Sequence, residues 1–192
     1  MLVLAQAKIA ESKFELSSKE SQMFWKCESH EGTLQLASGF IVTANDKPKG
    51  GSFVIDMTSI ACTDGKQEAS RKELADHLKS DDFFSVTRFP KANFVCTKII
   101  PTAKANEFTV TGNLTIKGVS NVISFLAIII TNKQTAAQEQ MIAKAETTIN
   151  RTFWGINYKA NMPTFLGPIV NNFISNDIKI SMNLVFNKIS VP

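Results

Sequence analysis

The plainest alternation in the chain lies near its end. Over residues 175–189, Ile178, Ile180, Met182, Leu184 and Phe186 alternate with Lys179, Ser181 and Asn183, the period-two pattern of a strand with one buried face. The same reading, run from the start, predicts strands in FEL and QMFWKCE within 12–29, then in 33–43 with Leu34, Leu36, Ser38 and Phe40 on one face. Gly39 inside that run suggests a bend or bulge of the sort that closing barrels use. NDKPKGG (45–51) is dense in turn formers and predicts a hairpin, after which Phe53, Ile55 and Met57 share a face. Ala92, Phe94 and Cys96 follow in 92–100, Val110, Leu114 and Ile116 in 107–117, and Ile123, Phe125, Ala127 and Ile129 in 119–131. In the last of these the alternate set, Leu126, Ile128 and Ile130, is apolar too, so both faces are expected to be covered, one by the lumen and one by a helix. KQTAAQE (133–139) predicts the next turn, and MIAKAETTIN a strand with Ala143, Ala145 and Thr147 in series.

One stretch breaks this β pattern. In KQEASRKELADHLK (66–79), Leu74, His77 and Leu78 recur at helical spacing. Asp64 is placed to cap that helix, with Gln67 completing a capping box. Ser80 offers a second cap for a short helical turn over Asp81 and Asp82, and Phe83 and Phe84 would pin that turn to a core. Pro90 ends any helix and sets Phe89 extended. About eight strands in meander order point to an up-and-down barrel or a sandwich, and a barrel of this size can hold one small ligand.

Composition narrows the class. The 192 residues suit one domain, with 44% hydrophobic and 20% charged content ordinary for a chain that buries a large core. Fourteen Phe against two Trp and one Tyr predict a tightly packed β-protein or one lined for an apolar ligand. The net charge of +4 is scattered, with no basic block to support nucleic acid as a partner. Three cysteines without a CxxC define neither a disulfide framework nor a zinc site. MLVLAQA ends in Ala5-Gln6-Ala7, like the tail of a signal peptide without its basic start. Residues 1–11 are therefore expected to be a leader remnant or disordered, and the compartment periplasmic or secreted. FLAIIIT (125–131) is too short to cross a bilayer.

HLKSDDFF (77–84) followed by FPKANF (89–94), GNLTIKGV (112–119) and NRTFWGINY (150–158) resembles, in residues and in order, the YceI-like family of bacterial polyisoprenoid-binding proteins. The resemblance runs from about Trp25 to Phe186, with one departure: Asn150 stands where the family has an acidic residue before the arginine. It implies a mainly β fold, an antiparallel up-and-down, lipocalin-like barrel with one amphipathic helix and a short helical turn. It further implies non-enzymatic binding, storage or transport of a long-chain polyisoprenoid, a quinone-like lipid or a related amphiphile. No cofactor is called for, and a homodimer stays an open expectation.

Face alternation nominates Phe40, Phe53, Ile55, Phe94, Leu114, Ile116, Phe125, Ile129, Ile180, Leu184 and Phe186 as lumen-lining residues. Ala143 and Ala145 would leave room, and Arg151, Phe153, Trp154 and Tyr158 would lie near one mouth. A slip of one residue inverts any of these assignments. Arg151 reads either as a clamp on backbone carbonyls or as a hook for an anionic head group, the clamp being favoured. His77 among Asp76, Asp81 and Asp82 reads as helix-cap chemistry in preference to a metal site, since a single His lacks partners. His30-Glu31 has no G-x-S-x-G elbow nearby. Two other classes stay open: an enzyme using the barrel as a substrate pocket, with His30 or His77 as acid–base residue, and a structural or stress-response protein with a filled lumen.

Overall fold

A computed structural model describes residues 10–28, 30–65, 67–135, 138–159 and 175–189. Among them nine strands form one antiparallel sheet that closes on itself. They are β1 (Glu11–Leu16), β2 (Gln22–Cys27), β3 (His30–Ala44), β4 (Lys47–Cys62), β5 (Lys91–Pro101), β6 (Glu107–Ile116), β7 (Val119–Thr135), β8 (Gln138–Asn150) and β9 (Asp177–Ile189). From β3 to β9 each strand pairs with the next. β1 and β2 share the remaining position: both bridge β3 and β9, β1 through Phe14↔Ile41 and Leu16↔Phe186, β2 through Met23↔Leu34 and Trp25↔Ile180. The result is a mainly β, up-and-down barrel of eight staves, one of them interrupted between β1 and β2.

Two hairpins are tight for a local reason. Asn45 and Asp46 both have positive φ, as do Lys117 and Gly118, the backbone of a two-residue turn that matches strand twist. The β3–β4 turn is therefore shorter than NDKPKGG suggests, and the strand resumes at Lys47. Likewise β7 runs on to Thr135 and β8 begins at Gln138, so most of KQTAAQE is strand.

Curvature comes from irregular register. β3 slips against β4 between Thr33 and Gln35, Leu36 and Ser38, and Val42 and Thr43. The slip after Leu36 corrects the predicted face: Leu36 is buried, but beyond it Ile41 and Thr43 turn inward. Phe40 pairs with exposed Glu15 and with Ser52, and Lys13 Nζ stands 5.0 Å from its ring centroid, so its side chain is on the outer face. A bulge shifts the pleat by one residue, and every later side chain changes sides.

The helix α1 (Glu68–Lys79) forms where predicted, but its capping differs. Gln67 is the N-cap and makes no side-chain cap bond. Asp64 instead accepts from the Glu31 amide at 3.0 Å and lies 2.8 Å from His30 Nδ1. The helix starts four residues after Asp64, out of its reach, while the start of β3 is beside it. α1 packs on β4 and on Trp25 and Cys62, through Leu74, Ala75 and Leu78. It does not cover β7, whose Leu126, Ile128 and Ile130 are 52%, 46% and 42% exposed.

Ser80 is the C-cap of α1: its Oγ donates to the His77 carbonyl, and its own carbonyl accepts from the Phe83 and Ser85 amides. Residues 81–84 are hydrogen-bonded turns, and the short helical turn lies instead at Arg151–Trp154. Lys117 Nζ donates to the Asp81 and Phe83 carbonyls, tying the turn to the β6–β7 hairpin. Phe83 is buried as an anchor. No helix among the described residues is long and apolar enough to cross a membrane.

Candidate functional site

Among the described residues two cavities open in the barrel interior. The larger, about 200 Å³, lies at the end where α1 and the 80s turn pack, and Met23, Trp25, Leu34, Met57 and Ile60 are among its walls. Leu74 and Leu78 of α1 and Phe83 and Phe84 of the turn complete it. The ring of Trp25 fits because Gly32 faces it, where a Cβ would sit 2.7 Å from the indole. Its Nε1 donates to the Ala61 carbonyl at 3.2 Å. Polar groups reach this cavity at one side, from Cys27, Glu28, His30 and Arg151.

Arg151 is 1% exposed. Its Nη1 donates to the Ile156 carbonyl at 2.7 Å and its Nε to the Ser175 carbonyl at 3.0 Å, which is the clamp the sequence favoured. Burial pushes its pKa down, against the fields of Cys27 and Glu28. Asn150 does not substitute for an acid on this arginine; its Oδ1 accepts from the Thr152 amide and hydroxyl and caps the 3-10 turn. Next to it Trp154 is buried, its Nε1 donating to the Leu114 carbonyl at 2.9 Å. Tyr158 closes a ring cluster with His77 (4.8 Å) and Phe83 (5.1 Å), while His77 meets Phe83 edge-on at 5.2 Å. The guanidinium of Arg151 lies 5.7 Å from the Phe83 ring centroid. Helix, turn and 3-10 segment are thus joined over one mouth.

The smaller cavity, about 70 Å³, lies deeper, lined by Phe53, Phe94, Phe125, Ala143, Ala145 and Phe186 among others. β4 and β5 diverge beside it, pairing only from Ser52↔Val95 to Asp56↔Lys91. At the barrel's other end Glu139 is buried, with Lys188 Nζ at 2.7 Å and Lys133 Nζ at 3.5 Å, and Lys133 continues to Asp46 at 2.9 Å. The Lys133 hydrogen bond holds the Asp46 carboxyl below its ordinary range.

The structure sorts the nominated residues by depth. Ile55, Leu114, Ile116, Ile180 and Arg151 border the larger cavity. Phe53, Phe94, Phe125, Ile129, Ala143, Ala145, Leu184 and Phe186 border the smaller. Phe40 also borders the smaller one, and Phe153 is 66% exposed. The nominated set omits Trp25 and Leu34, which β2 and β3 supply, and Leu74, Leu78 and Phe83, which come from the helix and turn, where strand alternation gives no signal. The amphipathic Leu74/Leu78 spacing was the available signal. Among the described residues no three His, Cys, Asp or Glu gather as a metal-binding set. Near the His30–Asp64 pair, Cys27 Sγ donates to the Ser175 carbonyl, and burial raises its pKa.

A closed antiparallel up-and-down barrel with an apolar chamber under a helical cover is a lipocalin-like architecture. Within it the chain belongs to the YceI-like domain family, whose profile matches residues 8–186. A UPF0312 protein of Pseudomonas putida is 28% identical over 163 residues, covering 81% of each chain. One from Staphylococcus aureus is 33% identical over 113 residues, 58% of this chain and 60% of the other. Two solved structures share the fold. Burkholderia cenocepacia BcnA has a TM-score of 0.63 at 19% identity, covering 88% of this chain and 98% of that one. A polyisoprenoid binding domain from Saccharophagus degradans, implicated in plant cell wall breakdown, has 0.60 at 15% identity, covering 94% and 99%.

Proposed function

We propose that this protein binds the apolar part of a polyisoprenoid or similar amphiphilic lipid in its barrel and stores or carries it without covalent chemistry. The observation that carries the reading is the larger cavity, walled by Trp25, Leu34, Met57, Leu114 and Ile180 with polar groups on one side only. An apolar group entering it leaves water at about 25 cal/mol per Å² of buried surface, and the polar side suits a head group. The Saccharophagus neighbour, described as polyisoprenoid binding, supports the ligand class through a shared fold. The test is organic extraction of the purified protein followed by mass spectrometry. A lipid recovered at near-stoichiometric amount is the expected result, and a protein that neither carries nor takes up lipid would overturn it. The unsubstituted protein should show no turnover of ester or polyprenyl substrates, whereas an enzyme using His30 or His77 as acid or base would turn them over and lose that turnover when both are replaced by Gln.

A further inference from the structure

The two cavities are separated by rings. Phe53 and Phe94 stack at 5.1 Å between centroids, and Phe94 meets Phe125 at 5.5 Å. All three border the smaller cavity and none borders the larger, although Ile55, two residues from Phe53, and Ala92, two from Phe94, do. Phe94 is 3% exposed and has a made-to-fit seat: a Cβ on Gly112 would lie 2.5 Å from its Cζ. Across the barrel β9 faces β5 in the stave order. There Met182 borders the smaller cavity and its register partner Met23 the larger. The lumen is therefore crossed by a layer of three phenylalanines from one side and two pliant thioethers from the other.

We propose that this Phe53–Phe94–Phe125 layer is a depth stop that determines ligand chain length. The inference rests on the lipid-binding reading and specifies it further. A dry cavity of about 150 Å³ holds a benzene ring, so the chamber above the layer accepts an apolar end of roughly eight carbons, close to two isoprene units. A longer chain enters further only when Phe94 leaves its seat over Gly112 and opens the way to Ala143 and Ala145. Phe94 is thus the residue that distinguishes short from long apolar chains in this protein.

The experiment measures affinity for straight-chain primary alcohols of about six to fourteen carbons, by displacement of a fluorescent apolar probe from the full chain. Each added carbon should tighten binding about fourfold until the chain reaches the layer, after which affinity should level off. In Phe94→Ala the plateau should move several carbons longer, and adding Ala145→Phe to that variant should bring it back. Ala145→Phe alone should leave the wild-type plateau where it is. Phe125→Leu and Phe94→Leu give smaller shifts in the same direction and carry the test if Phe94→Ala folds poorly. Affinity that keeps rising past the layer in the wild type, or a plateau that none of these variants moves, would sink the depth stop while leaving lipid binding intact. Failure of every alcohol to bind wild type and variants alike would remove the lipid-binding reading and the stop together.

Discussion

The two ends of the barrel hold buried charge in different ways. At the helical end Arg151 donates to the Ile156 and Ser175 carbonyls, within a cluster of rings from Phe83, His77 and Tyr158. At the opposite end Glu139 is buried against two lysines, one of which reaches on to Asp46. Those two carbonyls do not titrate, and salt does not dissociate them as it does an exposed ion pair. An ion-pair network depends on pH and, at its exposed members, on ionic strength. The Arg151 clamp is thus built to keep its geometry across conditions, and the Glu139 network to respond to them.

The sharpest way to break this contrast is Arg151→Met, which leaves the Ile156 carbonyl without its guanidinium donor and the Ser175 carbonyl with only the Cys27 thiol. With about 1–3 kcal/mol for a buried acceptor left unpaired and less for one that keeps a partner, unfolding in denaturant should show a loss of about 2–4 kcal/mol. That loss should be the same at low and high salt, and Arg151→Lys should recover little of it, since one ammonium cannot span both carbonyls. A salt-dependent loss would place this end in the same class as the other.

Glu139→Gln should cost less, about 1–3 kcal/mol, by leaving Lys188 and Lys133 without their shared carboxylate. Here added salt should narrow the gap from wild type, because Lys133 is 54% exposed. A gap indifferent to salt would mean that the network acts by packing.

His77→Ala should cost about 1 kcal/mol by removing two edge-on ring contacts. His77→Phe should be nearly neutral, because its ion pair with Asp82 is surface-exposed at 3.4 Å. If His77→Phe is as damaging as His77→Ala, the ion pair matters more than the ring.

The smallest effect concerns acid. Burial raises the Asp64 pKa, but hydrogen bonds from the Glu31 amide and the His30 ring, with the ring's charge, outweigh it and hold the carboxyl below the ordinary range. Such a group stabilises the fold above its unfolded pKa of about 3.9, and that contribution is lost as pH falls through the lower folded value. Melting curves of Asp64→Asn should therefore fall less steeply with acid below about pH 4 than those of the wild type; parallel curves would show that the pair with His30 contributes nothing. Cys62, pushed up to about 11 by burial and the field of Asp64, should stay unmodified by thiol reagents at neutral pH until the barrel unfolds.

Most of the strand framework is legible in the chain because a sheet with one wet face writes its register as alternation. β9 and the inward set of Phe53, Ile55 and Met57 read directly. α1 reads from its leucine spacing, although the role of Asp64 does not, since the partner it prefers is His30, 34 residues away. The candidate site is half legible: its strand walls follow from alternation, and its helical wall does not.

What the sequence by itself determined is which residues are apolar and at what period, and hence that a meander of strands with one helical excursion forms, barrel and sandwich both fitting the pattern, because burial of a period-two face is a local demand repeated along the chain. Only the tertiary structure decided the rest. A register slip after Leu36 turned Phe40 outward, and the path of α1 onto β4 left Leu126, Ile128 and Ile130 in solvent. Closure set Phe53, Phe94 and Phe125 into one layer and brought Asp46, Lys133, Glu139 and Lys188 together from separate strands and turns. The physical reason is that these outcomes depend on which segments meet when the sheet closes, and an outward apolar residue or a solitary charge has the same local pattern whether or not a distant segment arrives to pack against it.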